Sequence, residues 1–557
     1  MQEENRNIAK LLTESALKYP DARAVVYPAG RDRCGRVTYS HLTFSQLERL
    51  SSAYASEFRE AGIIKGTRAL MMLRPGLDFI AAAFAAFKTG CVPILIDPGM
   101  GRKNLLKCIR DTAPEALIAV SELHWIAKLF PSSFRSVKIA FSSGKFPPPG
   151  VIRLEGTAKK VSAPRNSSLP FSFECEKVLP DDTAAILFTT GSTGPPKGVV
   201  YTHRIFMAQV RIIQETYGTG PHETDMAAFP LFALFSAAMG MTCVIPDMDP
   251  TRPAKVNPLR IIEAVRNQGV TFSFGSPALW RAVAAYCIEN KIKLPSLRKV
   301  LMAGAPVTAE LHAMLKQIIA EDGETLVPYG ATESLPAASF TGSEMLRETA
   351  EKTREGEGYC VGYPVNGVTV KVIKNTDGAI PEWAESLVLP NGERGEIVIK
   401  GDIVTPSYYR MEAHTEMAKI RDADGKLWHR IGDMGYFDEK GRLWFCGRKS
   451  HLVKTANRAY YTVCSEAIFN RHPDVFRSAL VGADGKAVLV IEPKPGKMPA
   501  SKDERERFVS ELLKLGKTKE FTADIRDFLF HESFPVDIRH NAKIFREKLA
   551  EWAEKTL

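Results

Sequence analysis

Hydrophobic positions along the N-terminal quarter of the chain alternate between two periods. Leu47, Leu50, Tyr54 and Phe58 recur at helical spacing behind Ser45-Gln46-Leu47-Glu48, which reads as a capping box, and Gly62 stands where such a helix would close. The unbroken run Ala69-Leu70-Met71-Met72-Leu73 reads as a buried strand. Residues 78–88 follow as an alanine-rich helix ended by Gly90, and Val92-Pro93-Ile94-Leu95-Ile96 as the next strand. Strand, helix and strand at this spacing predict a right-handed crossover and a largely parallel sheet. The same grammar continues through 116–120 and 137–141, so the fold class is α/β.

The texture changes further on. Residues 144–172, rich in Pro, Lys and Ser, read as a surface connection, and the charged stretch 344–357 as a solvated helix or loop. From Val368 the chain turns to short strands such as Gly395-Glu396-Ile397-Val398-Ile399-Lys400-Gly401. A boundary near Gly447-Arg448-Lys449-Ser450 divides a large domain, 1–447, from a compact α+β tail, 448–557.

Bulk numbers narrow the class. A chain of 557 residues with 45% hydrophobic and 25% charged residues has ample core for several packed units. The net charge of +10 suits anionic ligands, but 74 basic and 64 acidic residues are spread along the chain, with no arginine-rich arm; nucleic acid is not the expected partner. Nine cysteines without a C-x-x-C pair argue for reduced thiols and against zinc. The N-terminus is polar, and the apolar run 229–246 holds two prolines and falls short of a bilayer-spanning helix. A cytoplasmic protein with at most peripheral membrane contact is expected.

The most informative segment is Leu187-Phe188-Thr189-Thr190-Gly191-Ser192-Thr193-Gly194-Pro195-Pro196-Lys197-Gly198. Its backbone N–H groups, hydroxyls and one ammonium converge as a polyphosphate requires. It is not a Walker loop, since Pro196 precedes the lysine and Gly198 follows it, and flanking strands at 183–189 and 199–202 make it a strand–strand connection. Tyr329-Gly330-Ala331-Thr332-Glu333 offers a ring to stack on a base and a carboxylate for Mg²⁺ after the strand 326–328. Ile431-Gly432-Asp433-Met434-Gly435 sets a carboxylate between glycines after a strand, an acceptor for ribose hydroxyls. Asn541-Ala542-Lys543 opens a terminal helix. Read alone, each has an ordinary alternative: a loop acid, a turn aspartate, a surface lysine.

Together, in this order and over nearly the whole chain, these motifs resemble the acyl-adenylate-forming superfamily, which includes acyl-CoA synthetases, luciferases and adenylation domains of peptide synthetases. Thr38-Tyr39-Ser40-His41-Leu42 and Ile96-Asp97-Pro98 match as well. The resemblance implies a large domain of two αβαβα-type subdomains and a small β-rich one, with a small mobile α+β lid. It also implies ATP and Mg²⁺ as cofactors. Thr189, Thr190, Gly191, Ser192, Thr193, Gly194 and Lys197 would hold the β- and γ-phosphates, and Gly304, Ala305, Pro306, Tyr329 and Gly330 the adenine. Thr332 would touch the α-phosphate and Glu333 the Mg²⁺. Asp433 would take the ribose, with Arg448 close by, and Lys543 would reach in from the lid.

Two departures narrow the branch. Where many acyl-CoA synthetases show Pro-Leu-Phe-His, this chain has Pro230-Leu231-Phe232-Ala233-Leu234-Phe235; in the tail, His451 stands at the usual hinge position and Asn457 replaces a glycine beside the route of the CoA arm. With 329–336 and 535–544, the chain is most similar to the β-lactone synthetases of bacterial long-chain olefin biosynthesis. That branch activates a 2-alkyl-3-hydroxy fatty acid as its adenylate, and the substrate's own hydroxyl expels AMP. Its partners would be the hydroxy acid and other enzymes of the olefin pathway. The alternatives are a long-chain acyl-CoA synthetase or acyl-AMP ligase, and a catalytically silent nucleotide-binding scaffold. The run 232–238 reads as an acyl tunnel wall or as plain core, and His203, His451 and His540 as structural or solvated, with His540 kept as a hypothetical base.

Overall fold

The computed structural model describes residues 6–156, 173–189, 195–536 and 544–557. Helix α1 (Phe44–Glu60) leads into β1 (Arg68–Met72), α2 (Leu77–Lys88), β2 (Val92–Ile96), β3 (Ala116–Val120) and β4 (Ile139–Ser143). β1 pairs in parallel with β2 and β3, and β3 with β4. Ala116, Leu117, Ile118 and Ala119 of β3 are all buried, as an unbroken apolar run must be in a parallel sheet covered on both faces. Among the described residues, β5 (Thr183–Thr189) and β6 (Lys197–Thr202) complete a seven-stranded sheet in the order Ile152–Arg153, β4, β3, β1, β2, β5, β6. Of the expected surface connection 144–172, residues 157–172 lie outside the described residues.

The capping box at the start of α1 belongs to different residues. Thr43 is the cap: its hydroxyl accepts the Gln46 N–H at 3.3 Å, and Gln46 Oε1 takes the Thr43 N–H at 2.9 Å. Ser45 already lies inside the first turn. Glu48 faces α2, where it meets the Lys88 ammonium at 2.6 Å with both side chains fully buried. Lys88 also donates to Ser52 Oγ at 2.9 Å. Burial drives the lysine pKa down and Glu48 opposes that shift, so the pair persists only as a pair.

After α3 (His203–Tyr217) come β7 (Thr224–Ala227), α4 (Phe232–Ala238), β8 (Phe272–Gly275), β9 (Lys299–Met302), β10 (Glu324–Ala331) and β11 (Ser334–Thr341). Then follow β12 (Tyr359–Pro364), β13 (Gly395–Gly401), β14 (Lys419–Arg421), β15 (Leu427–Phe437) and β16 (Leu443–Arg448). Among the described residues these belong to one fourteen-stranded sheet, ordered from Val368–Ile373 through β13, β15, β16, β12, β11, β10, β9, β8 and β7 to the N-terminal strands, with β14 paired on β15. It is parallel from β7 to β10 and antiparallel from the β10–β11 hairpin onward. The strand-rich segment after Val368 therefore extends the second sheet. The charged stretch 344–357 is more than a solvated face: Met345 and Thr349 are buried, and Glu344 and Glu348 pair with Arg442, a guanidinium only 2% exposed that needs those charges.

The tail carries α5 (Thr462–Phe469), β17 (Val475–Ala483), β18 (Lys486–Pro493), β19 (Asp527–Phe530) and α6 (Arg546–Thr556), with a three-stranded sheet β17-β18-β19. One core cluster here gathers Val453, Phe469, Leu489 and Phe508, another Ala479, Val490, Leu549 and Ala553. The terminal helix spans Arg546–Thr556, with the Arg546 guanidinium held two-pronged by Glu466; Asn541-Ala542-Lys543, expected at its start, lie outside the described residues. Among the described residues, no helix is long and apolar enough to cross a membrane.

Candidate active site

The two large sheets, the β10–β11 hairpin and the tail line one cavity of about 2180 Å³. That is at least twice the usual volume for one drug-sized ligand, room for a nucleotide and a second, apolar molecule.

The phosphate-type loop does join two antiparallel strands, with Thr189 opposite Lys197 and Phe188 opposite Gly198. Thr190, Gly191, Ser192, Thr193 and Gly194 lie outside the described residues. A Cβ on Gly198 would press to 2.9 Å from the Phe188 ring, so the strand after the lysine tolerates no side chain there. Lys197 lines the cavity with its ammonium 4.9 Å from the centre of the Tyr408 ring. Segment 407–409 is tied to β6 by Val200 N–H to Ser407 O at 3.1 Å and Tyr409 N–H to Gly198 O at 2.7 Å.

Thr332 and Glu333 form the turn between β10 and β11, and both backbone carbonyls are held from behind. The Tyr201 hydroxyl donates to the Thr332 carbonyl, while the Thr405 N–H and hydroxyl donate to that of Glu333 at 3.0 and 3.2 Å. A Cβ on Gly330 would lie 2.5 Å from the Ser334 carbonyl, so only glycine lets the turn close this tightly. Tyr408 donates its hydroxyl to Glu333 Oε1 at 2.6 Å, and burial followed by the Glu333 charge pushes that phenol's pKa up. Behind them the buried Lys419 donates to Thr405 Oγ1 at 3.3 Å, and its register partner is His429. Burial lowers Lys419 to about 7, with Glu333 opposing; burial and the neighbouring Lys419 keep His429 neutral.

Asp433 sits inside β15, not in a turn after a strand, and Arg448 is its register partner on β16. Each carboxylate oxygen has a donor group beside it: Arg448 Nη1 at 2.8 Å from Oδ1, and the Tyr329 hydroxyl at 2.7 Å from Oδ2. Burial raises the Asp433 pKa and the guanidinium offsets it. Gly304, Ala305 and Pro306 follow β9 and line the cavity with Tyr329 and Gly330. Lys449, next to Arg448, joins the buried Arg430–Glu396 pair at 2.9 Å from Glu396 Oε2. Lys543 and His540 lie outside the described residues, but Val536 and Ile544, which flank them and bridge to each other, line the cavity.

The other end of the cavity is apolar. Phe232 stacks on Phe274 with centroids 3.5 Å apart, and Phe206 lies 5.8 Å from Phe87 and 6.0 Å from Phe235. All of them line the wall, which reaches Ile8, so run 232–238 serves as wall and core together. His203 is buried away from the cavity lining, accepts the Ile8 N–H at 3.2 Å and is lowered to about 4 by burial; it is structural. His451 lines the cavity; Asn457 is exposed on a turn between Val453–Lys454 and Ala459–Tyr460. Sequence reasoning missed Tyr201, Tyr408, Lys419 and the Glu396–Arg430–Lys449 group. Each acts through contacts distant in the chain and carries no local pattern.

The profile described as "AMP-binding enzyme" matches residues 12–409. The chain belongs to the AMP-binding enzyme family. It is 42% identical to the olefin beta-lactone synthetase of Xanthomonas campestris, covering 98% of this chain and 97% of that protein. The olefin beta-lactone synthetase of Stenotrophomonas maltophilia is 40% identical, with 99% and 98% covered. Among solved structures, ATP-bound MatB from Rhodopseudomonas palustris superposes with a TM-score of 0.77 at 18% identity, over 99% of this chain and all of that one, which supports the fold. As an AMP-binding enzyme, the protein is an adenylate-forming ligase acting on a small-molecule acid.

Proposed function

We propose that this protein activates a 2-alkyl-3-hydroxy fatty acid as its acyl-adenylate and closes it to a β-lactone, in long-chain olefin biosynthesis. The observation that carries the reading is end-to-end identity of 40–42% with two olefin beta-lactone synthetases. The joined polar and aromatic halves of the cavity support it, one for nucleotide and one for alkyl chains.

In the first step a carboxylate oxygen attacks the α-phosphorus of ATP and pyrophosphate leaves. Charge grows on the phosphoryl oxygens, so Lys197, with Thr189–Gly194, is assigned to the β- and γ-phosphates and Thr332 to the α-phosphate. Asp433 with Arg448 is assigned to the ribose, and Tyr329, Gly330 and Gly304–Pro306 to the adenine. Mg²⁺ fits Glu333: its carboxylate lines the cavity with Oε1 held by the Tyr408 hydroxyl, and Mg²⁺ commonly takes one carboxylate plus phosphate oxygens and water. Bound there, it would neutralise phosphate charge. Residues 448–557 are assigned as a lid on the body 1–447, with Lys543 completing the site. In the second step the 3-hydroxyl oxygen attacks the acyl carbon, the bond to AMP breaks, and the hydroxyl proton is lost.

Incubation with ATP, Mg²⁺ and a synthetic 2-alkyl-3-hydroxy acid, without CoA, should yield AMP, pyrophosphate and the β-lactone by mass spectrometry. Adenylate or free acid alone, with product appearing only when CoA is added, would instead mark an acyl-CoA synthetase.

A further inference from the structure

Helix α3 lays a stripe of side chains along the cavity wall: Phe206, Gln209, Val210, Ile213 and Tyr217. Gln209 is the one amide in that stripe and is 3% exposed. Its Nε2 donates to the Leu335 carbonyl at 2.8 Å, which fixes the amide's orientation, since a flipped amide would set two acceptors against each other. Oε1 is then left buried with no hydrogen-bond partner among the described residues. The Tyr201 hydroxyl hydrogen-bonds the Gln209 side chain, but its single proton goes to the Thr332 carbonyl, so in that contact its oxygen accepts and gives Oε1 no donor. Among the described residues nothing donates to this buried oxygen, so it offers an open acceptor position on the cavity wall that the hydroxyl of a bound ligand can fill.

Both anchors around Gln209 place it at the reacting end of the chamber. Leu335 lies two residues beyond Glu333, and Tyr201 holds the carbonyl of Thr332. We propose that Gln209 Oε1 accepts a hydrogen bond from the 3-hydroxyl of the substrate and thereby selects 3-hydroxy acids; this deepens the β-lactone reading and rests on it. On a 2-alkyl-3-hydroxy acid the carboxylate only accepts and the alkyl chains do neither, so the hydroxyl is the group that can donate. An amide is no base at neutral pH. Gln209 therefore holds the hydroxyl oxygen within reach of the acyl carbon instead of deprotonating it.

The test compares a 2-alkyl-3-hydroxy acid with its 3-deoxy analogue of equal chain lengths, by ATP–pyrophosphate exchange, in the wild type and in Gln209→Met. Wild-type kcat/KM should favour the hydroxy acid by about 10- to 100-fold, and the variant should bring that ratio to within about threefold of unity. An unchanged ratio in the variant overturns the assignment. So does a wild-type ratio near unity, which needs no folded variant. Lactone detection in the same wild-type reactions separates the two ideas. Lactone without discrimination removes Gln209 and keeps the reaction; discrimination without lactone keeps Gln209 as a hydroxyl acceptor and removes the ring closure.

Discussion

Replacing Tyr408 by Phe removes one hydroxyl and leaves the ring under Lys197. The bond lost is 2.6 Å long and ends on the Glu333 carboxylate, the group assigned to Mg²⁺. Hydrogen bonds to charged acceptors contribute about 1.5–3 kcal/mol, which at 1.36 kcal/mol per decade is about a 10- to 150-fold change in rate. Glu333 lines a large cavity, so water can take the place of the hydroxyl, and the lower end, about tenfold in kcat/KM, is expected. Because the lost contact orients the oxygen assigned to Mg²⁺, the Mg²⁺ concentration for half-maximal rate should rise as well. Tyr408→Leu should lose a further ~0.5–2 kcal/mol, because the Lys197 ammonium 4.9 Å from the ring centre loses its aromatic partner. Initial rates of pyrophosphate release across a MgCl₂ titration check both variants. A Phe variant with the wild-type Mg²⁺ midpoint and rate would refute the reasoning.

Lys543→Ala should lower pyrophosphate release by about 10²- to 10³-fold while ATP-induced thermal stabilisation survives; near-normal release would remove Lys543 from the reaction. Glu48→Gln strands the buried Lys88 charge and should cost about 3–5 kcal/mol by chemical denaturation, whereas the double change Glu48→Leu with Lys88→Met should recover most of it. Lys419 is lowered from its ordinary value to about 7, so between pH 7 and the unfolded value the unfolded chain binds the proton that the folded chain has released. Stability should therefore rise with pH across that window, and the rise should be absent from Lys419→Met in a series of melting temperatures.

The first sheet was legible because a parallel sheet covered on both faces demands uninterrupted apolar runs, and β1, β2 and β3 supply them within a residue of their observed ends. The strand–strand connection between β5 and β6 was legible for a similar reason: both of its flanks are contiguous β-type runs, and they pair in antiparallel fashion. Legibility failed where partners are far apart in the chain. Glu48 looked like a cap residue because the box template ignores α2, where Lys88 waits; the true cap, Thr43, lies two residues before Ser45. Asp433, between its glycines, reads as following a strand, with a turn aspartate as the alternative; it lies inside β15, where Gly435 is needed because a Cβ would lie 2.2 Å from the Trp444 carbonyl across β15–β16. Tyr408, some 75 positions from Glu333, leaves no trace in any local pattern.

An acceptor that travels inside the substrate changes what the site has to provide. A thioester-forming enzyme must admit a second molecule, which means an open route and the translational and rotational entropy of bringing it in. In ring closure that entropy is already settled by the covalent link between hydroxyl and acyl carbon, and what remains is the choice of a rotamer about one carbon–carbon bond. One well-placed acceptor is enough for that choice, which is the part assigned to Gln209. The competing reaction is then hydrolysis of the adenylate, and the protection against it is a wall of Phe206, Phe232, Phe235 and Phe274 that offers water no partner.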